Sequence, residues 1–233
     1  MTMRPWSYSS LKDFEGCAKR YYSCRVAKTH KQDDTAEHLT WGNAVHKHNE
    51  DRINLKTPLP DFLQNLEPLI ADLEARGRLM IAELEFAFTK DWQPTTYWAD
   101  DCWTRGKIDV VCIGRDEADI IDWKTGKRRP DFGQLEYYAL ALGILGYKSI
   151  RGYFVWTKTF EYDSTYIDEN IIRHVKQLFI DKAARLERAF ETNEWPAKTS
   201  ALCAYCPVVM DCEEARAKGY HTKAKHIRKA RQE

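Results

Sequence analysis

The chain of 233 residues holds little glycine (11) and little proline (8), which excludes collagen-like and low-complexity sequence. No run approaches the roughly 18 uncharged apolar residues of a membrane-spanning helix. The opening MTMRPWSYSSLKDF lacks the apolar centre of an export signal. There is no internal repeat and no G-x-x-x-x-G-K-[ST] loop of the kind that cradles nucleotide phosphates. Net charge is almost absent, at +1. What remains is a globular balance of 43% hydrophobic and 30% charged residues, enough apolar side chains for one core. A soluble cytoplasmic protein without membrane contact is the expectation.

The charge is unevenly spread. Residues 216–233 carry seven Lys/Arg against one Glu, a local excess of +6, so the remaining 215 residues sum to −5. Such a basic tail is either a solvated helix end or an arm that touches phosphates. Seven cysteines without an export signal point away from disulfides. Cys203-Ala-Tyr-Cys206-Pro followed by Cys212 is C-x-x-C-x5-C, a strong metal signal whose fourth ligand is missing locally. His221, nine residues on, keeps zinc open. Cys102 and Cys112 read as ordinary buried thiols.

Periodicity supplies an outline. Ser9 or Ser10 caps a helix with Leu11, Phe14, Ala18 and Tyr21 on one face, and a second helix opens near Trp41-Gly42 and carries His46. Pro60-Asp61 starts a third helical stretch in which Pro68 marks a kink or restart. AELEFAFT alternates as a strand. WTRGKIDVVCI and DIIDWKT form two more, joined by the turn-like GRDEAD. Asp131 opens a helix that stops at Gly146, IRGYFVWT is a fourth strand, and Asp168 begins a long helix. The order is helices, three strands, helix, strand, helix, cysteine segment.

The hairpin carries charges where a core is expected. Alternation puts Ile120, Asp122 and Lys124 on one face of their strand, and Asp109 with Val111 and Ile113 on the preceding one. Isolated buried ions cost several kcal/mol each, so something must compensate. Either the face is exposed and Asp122 pairs with Lys124, or a divalent cation sits between carboxylates. Oxygen ligands from Asp109 and Asp122 suit Mg²⁺ or Mn²⁺, and Lys124 then stands ready to activate water for phosphodiester hydrolysis.

Asp109 followed by Asp122-Trp123-Lys124 resembles the core of the PD-(D/E)XK nucleases. Gly42-Asn-Ala-Val-His46 resembles the G-x-x-x-H helix of that superfamily's RecB-like branch. Gln134-Leu-Glu-Tyr-Tyr138 resembles its Q-x-x-x-Y, whose two named residues stand one helical turn apart. The resemblance implies an α/β, restriction-endonuclease-like mixed sheet core ordered α-β-β-β-α-β, with an added N-terminal helical region and a C-terminal cysteine segment. It implies His46, Asp109, Asp122 and the Trp123 carbonyl as metal ligands, Lys124 as the group acting on water, and Gln134 and Tyr138 as residues that position DNA or the lysine. Glu85 is a second-tier candidate for the metal and Glu83 a weaker one. Lys127, Arg128 and Arg129 are candidates for holding a backbone phosphate.

The cysteines resemble those of iron–sulfur nucleases of the CRISPR-associated RecB-like and AddB types, which place one cysteine before the core and three after it. Ser7-Tyr-Ser9-Ser-Leu11-Lys-Asp-Phe14-Glu-Gly-Cys17 matches their first-cysteine pattern, with Ala18 where the family often has proline. Cys17, Cys203, Cys206 and Cys212 are then expected to hold a 4Fe-4S cluster, with Zn²⁺ as the alternative and Cys24 in reserve. The expectation is a single nuclease domain over 1–215 closed by that cluster, and a basic tail over 216–233. The expected activity is a metal-dependent DNA exonuclease preferring single-stranded or free ends. It would serve recombination, repair or CRISPR spacer acquisition in a prokaryotic or phage-infected cell, with recombination, helicase or adaptation proteins as partners. A non-catalytic DNA-binding or assembly subunit with the same fold and cluster is the alternative.

Overall fold

A computed structural model describes residues 3–31 and 37–230. The alternating segments become β1 (Leu79–Phe88), β2 (Thr104–Ile113) and β3 (Glu117–Lys124). β1 pairs antiparallel with β2, and β2 with β3, the hairpin that GRDEAD implies. After the crossover helix α5 (Phe132–Ile144), β4 (Ser149–Trp156) runs parallel to β3. The sheet order is β1-β2-β3-β4-β5. This is the expected α/β fold, a mixed sheet flanked by helices.

β5 (Glu161–Asp168), antiparallel to β4, is absent from the sequence outline. Half of its residues are exposed at the sheet edge, and it lacks the apolar face that makes a strand visible in a sequence. Asp168 ends β5 and caps the next helix, α6 (Glu169–Thr192), its Oδ1 accepting from the N–H groups of Asn170 and Ile171 at 2.9 Å each.

The chain divides into two compact units, one of Arg4–Trp6 with Thr35–Asp181, the other of Met1–Met3 with Ser7–Asp34 and Lys182–Glu233. In the first unit helices cover both faces of the sheet. α3 (Glu37–Leu55) begins four residues before Trp41, and α4 (Glu67–Ala75) restarts at Pro68 after a 3₁₀ turn over Asp61–Leu66. Val45 and Ile53 of α3, Leu63, and Ile70 and Leu73 of α4 are buried with Ala82, Val110, Ile121 and Val155 of the sheet. On the opposite face Phe86, Tyr137, Trp6 and Phe179 form an aromatic layer under α5.

The second unit contains α1 (Tyr8–Gly16), α2 (Ala18–Tyr21), the cysteine segment, α7 (Glu213–Ala217) and α8 (Tyr220–Ala230). Ser7, rather than Ser9 or Ser10, caps α1, and it forms a capping box with Ser10. Trp195 gathers Phe14, Tyr21, Tyr22 and Phe190 around its ring. The segment read as a basic tail is helical over Tyr220–Ala230, and Ala224 is buried beside Val208, Val209 and Cys212.

Candidate active site and cysteine site

Two glycines let the site assemble. A Cβ on Gly42 would crowd Thr125 Oγ1 at 3.2 Å, so glycine allows α3 to approach the end of β3. His46, one turn further on, then reaches Asp109, with Nδ1 at 3.3 Å from Oδ2. A Cβ on Gly106 would enter the ring of Phe86, so this position of β2 must stay bare for the aromatic layer to close.

The two strands carrying the acids reverse their facing. Phe86 packs on Tyr137 and Tyr138 of α5, whereas Ala82 belongs to the cluster beneath α3 and α4. Their partners Gly106 and Val110 divide in the same way. Unbroken alternation would put residues four apart on one face. Glu83 and Asp109 sit at the reversal, and Glu83 has φ +57°, a conformation uncommon outside glycine. Such strain persists where the surroundings impose it, and it recurs at functional sites. Asp109 consequently faces His46 and the Trp123 N–H, which donates to its Oδ2 at 2.8 Å.

Ligand atoms of His46, Glu83 and Asp109 all lie within 4.8 Å of one another. Glu85, the stronger of the two candidates in the sequence, stays nearly half exposed and meets Lys107 at 3.6 Å. Lys107 also reaches Glu83, at 3.2 Å. Beside this group is a second polar network. Lys124 Nζ lies 2.5 Å from Asp122 Oδ2 and donates to Gln134 Oε1 at 2.8 Å. Gln134 Nε2 donates to Asp122 Oδ1 and to Tyr138 Oη, each at 2.9 Å. The glutamine thus satisfies lysine, aspartate and tyrosine together. Phe154 backs the lysine, its ring centroid 4.7 Å from Nζ.

Electrostatics mark the place as costly without a counter-ion. Burial, and then the charge of Asp109, push the Asp122 carboxyl far up, against the opposing pull of Lys124. Burial and Asp109 also raise Glu83. Burial alone would lower His46, but the hydrogen bond and charge of Asp109 override it and hold the imidazole above its usual value. Carboxylates driven toward protonation beside a half-buried histidine are a site with too much negative charge for its surroundings. A divalent cation among His46, Glu83 and Asp109 would relieve it, and the oxygen-rich donor set suits Mg²⁺ or Mn²⁺.

The family model described as the PD-(D/E)XK nuclease superfamily matches residues 5–213. The chain belongs to that superfamily. Its fold is similar to the crystal structure of a "Putative exonuclease" from Eubacterium rectale, with 13% identity over 91% of this chain and 87% of that one and a TM-score of 0.52. It also matches the crystal structure of SSO0001, with 14% identity over 92% and 88% of the two chains and a TM-score of 0.46. No curated protein matches the chain.

On this PD-(D/E)XK core the two acids of the motif have different neighbours. Asp109 is in the His46 group, while Asp122 is held by Lys124 and Gln134. Trp123 contributes its N–H to Asp109. Among the basic residues after the motif, Arg128 is occupied by Glu161 at 2.9 Å and Asp163 at 2.7 Å on β5. Glu83 is the residue most underrated by the sequence. Alternation gave it the same face as Glu85, and nothing in the residue string announces its positive φ.

In the second unit Cys17, Cys203, Cys206 and Cys212 all line one small cavity, together with Lys19, Arg20 and Lys198. The N–H of Lys198 points at Cys17 Sγ (3.4 Å), and that of Ser200 at Cys203 Sγ (3.3 Å). Cys24 packs against the same cluster without lining the cavity. His221 does not line it either. Cys102 and Cys112 are buried elsewhere, in the first unit. Among the described residues, no three of the cysteine sulfurs gather as closely as the His46 group does. No described helix is long and apolar enough to cross a membrane.

Proposed function

We propose that this protein is a divalent-metal-dependent deoxyribonuclease that shortens DNA from free ends, with a preference for single strands. The observation that carries the reading is the convergence of His46, Glu83 and Asp109 within 4.8 Å beside the Lys124–Gln134–Asp122 network. Mg²⁺ or Mn²⁺, when bound by His46, Glu83 and Asp109, supplies Lewis-acid stabilisation of charge developing on the phosphate. The chain's own groups do the remainder. The Trp123 N–H and His46 fix the orientation of Asp109. Gln134 and Asp122 hold the Lys124 ammonium in one place, where it orients the attacking water and offsets charge at the phosphate. Tyr138, buried, fixes the far side of Gln134.

We infer further that Cys17, Cys203, Cys206 and Cys212 hold a 4Fe-4S cluster. Cys17, Cys203, Cys206 and Cys212 would supply the four thiolates that such a cluster takes, and all four line one cavity. Of the cations lining the cavity, Lys19 is paired with Glu214 and Arg20 with Asp13, and Lys198 suits the negative charge of such a group. The resemblance of this cysteine pattern to those of iron–sulfur nucleases supports a role in recombination, repair or spacer acquisition, alongside partners that supply the DNA end.

The deciding experiment follows single- and double-stranded DNA labelled at either end, with Mg²⁺ or Mn²⁺, for the wild type and for Asp122→Ala. Loss of DNA with the wild type alone is the expected result. Binding without cleavage by both would replace the enzyme with a DNA-binding subunit, and equal cleavage by both would remove the active site from Asp122.

A further inference from the structure

Trp98 lies on the loop between β1 and β2 and is 78% exposed. Its place is fixed. The Arg105 guanidinium sits 4.5 Å from the Tyr97 ring centroid and 4.4 Å from that of Trp98. Arg105 Nη1 donates to the Tyr97 carbonyl at 2.7 Å, and the two rings meet edge-on at 5.2 Å. The loop is pinned by the Thr95 N–H to Ala87 O, the Ala99 N–H to Thr96 O, and the Cys102 N–H to Ala99 O. These contacts hold the indole in place against Arg105 and leave its other face open.

The strand beneath gives the direction of that use. Thr104 and Gly106 face Tyr137 and Phe86, so Arg105 and Lys107 point to the other side of β2, the side toward which Asp109 meets His46. Arg105 is four residues from Asp109, about 13 Å along a strand, and Lys107 stands between them. The order is thus aromatic pair, guanidinium, ammonium, then the His46–Glu83–Asp109 group. Exposed rings for stacking are what an unpaired nucleic-acid strand requires, and since Lys107 is already paired with Glu83 and Glu85, the rings carry the contact. A duplex hides the faces of its bases and would leave the indole without a partner. Asp100 and Asp101 on the same loop, and Glu85 beside Lys107, disfavour a phosphate at the tip, which leaves a base as the partner of Trp98.

We propose that Tyr97, Trp98 and Arg105 form a stacking platform for an unpaired base of the strand that leads into the His46–Asp109 group. The proposal deepens the nuclease reading and rests on it for the identity of the ligand. The test is fluorescence anisotropy with a labelled oligothymidylate and with a blunt duplex of equal length, both in EDTA so that nothing is cut. Trp98→Ala should weaken single-strand binding roughly tenfold, the loss of one stacked base, with duplex binding unchanged. Trp98→Phe should keep most of the affinity, and unaltered melting of both variants shows that the fold is intact. Equal single-strand affinity of the wild type and Trp98→Ala, a matching loss on duplex, or no single-strand binding by the wild type would each overturn the platform. Cleavage by the wild type with Mg²⁺ or Mn²⁺ is scored separately. Binding that depends on Trp98 in a protein that cuts nothing would keep the platform and refute the nuclease, and cutting with Trp98-independent binding would do the reverse.

Discussion

Lys124 Nζ lies 2.5 Å from Asp122 Oδ2, and the carboxylate of that pair is only 2% exposed. Asp122 is pushed up to about 7 by burial and the charge of Asp109. From about pH 4 upward, the folded chain therefore keeps a proton that the unfolded chain has released, and metal-free stability falls as pH rises through that window. His46 acts in the same sense, because its raised value gives stability below about pH 6.5 that is lost at higher pH. Asp122→Asn should accordingly raise the metal-free melting temperature at pH 8, by about 2–4 °C for each kcal/mol recovered, while abolishing cleavage. Melting curves at pH 5.5 and 8 check this; a variant less stable than wild type at pH 8 would refute it.

Glu83 and Glu85 separate the structure from simple alternation. Glu83→Gln should cost at least ~100-fold in activity and raise the Mn²⁺ concentration needed for half-maximal rate, since even residues behind metal ligands cost 10–100-fold. Glu85→Gln removes only an exposed contact to Lys107, an interaction worth little, and should leave activity within about threefold. Metal titrations of both variants decide between them, and the reverse ranking would move the metal site outward along β1.

Much of the site is legible in the residue string because its signals are local. Asp122 and Lys124 announce themselves as charges in an apolar strand, and Gln134 and Tyr138 fall one helical turn apart. The first four strands declare themselves by apolar alternation. β5 does not, since Tyr162, Ser164 and Tyr166 on one side and Asp163 and Thr165 on the other give no apolar face. The Glu83 reversal depends on a backbone angle imposed by packing on two opposite faces. Trp98 is an unremarkable aromatic until Arg105 is seen beneath it.

Gly106 tests the packing side of the argument. Gly106→Ala forces a methyl into the Phe86 ring and should destabilise by about 1–3 kcal/mol, the usual cost of overpacking. Gly126, just past β3, has nothing within 4 Å of where a Cβ would sit, so Gly126→Ala should be nearly neutral. Urea midpoints of the two variants provide the comparison. Equal midpoints would mean that the aromatic layer yields more easily than its burial suggests.

The basic helix α8 cannot be assessed by truncation, because removing it takes Ala224 out of a buried cluster. Lys223 and Lys225 are exposed and can be neutralised in place. If both meet phosphates, changing them to glutamine should flatten the logarithmic salt dependence of single-strand binding by about 0.7 per residue. An unchanged slope would make α8 a solvated cover for the cysteine segment and nothing more.

Cys17 and Cys212 line the same cavity although 195 positions separate them in the chain, so a group bound there would fasten α1 to the C-terminal segment. Metal–thiolate ligation of this kind contributes folding free energy directly, because the ligands have no fixed arrangement before the chain folds. Wild type carrying the proposed 4Fe-4S cluster should be brown; Cys203→Ser should therefore lose that colour and most of the soluble protein, whereas Cys102→Ser, at a buried thiol of the first unit, should keep it. Anaerobically purified wild type should contain iron and acid-labile sulfide in equal amounts. Zinc without iron would overturn the cluster, and normal yield and melting of colourless Cys203→Ser would show that whatever is bound does not hold the second unit together.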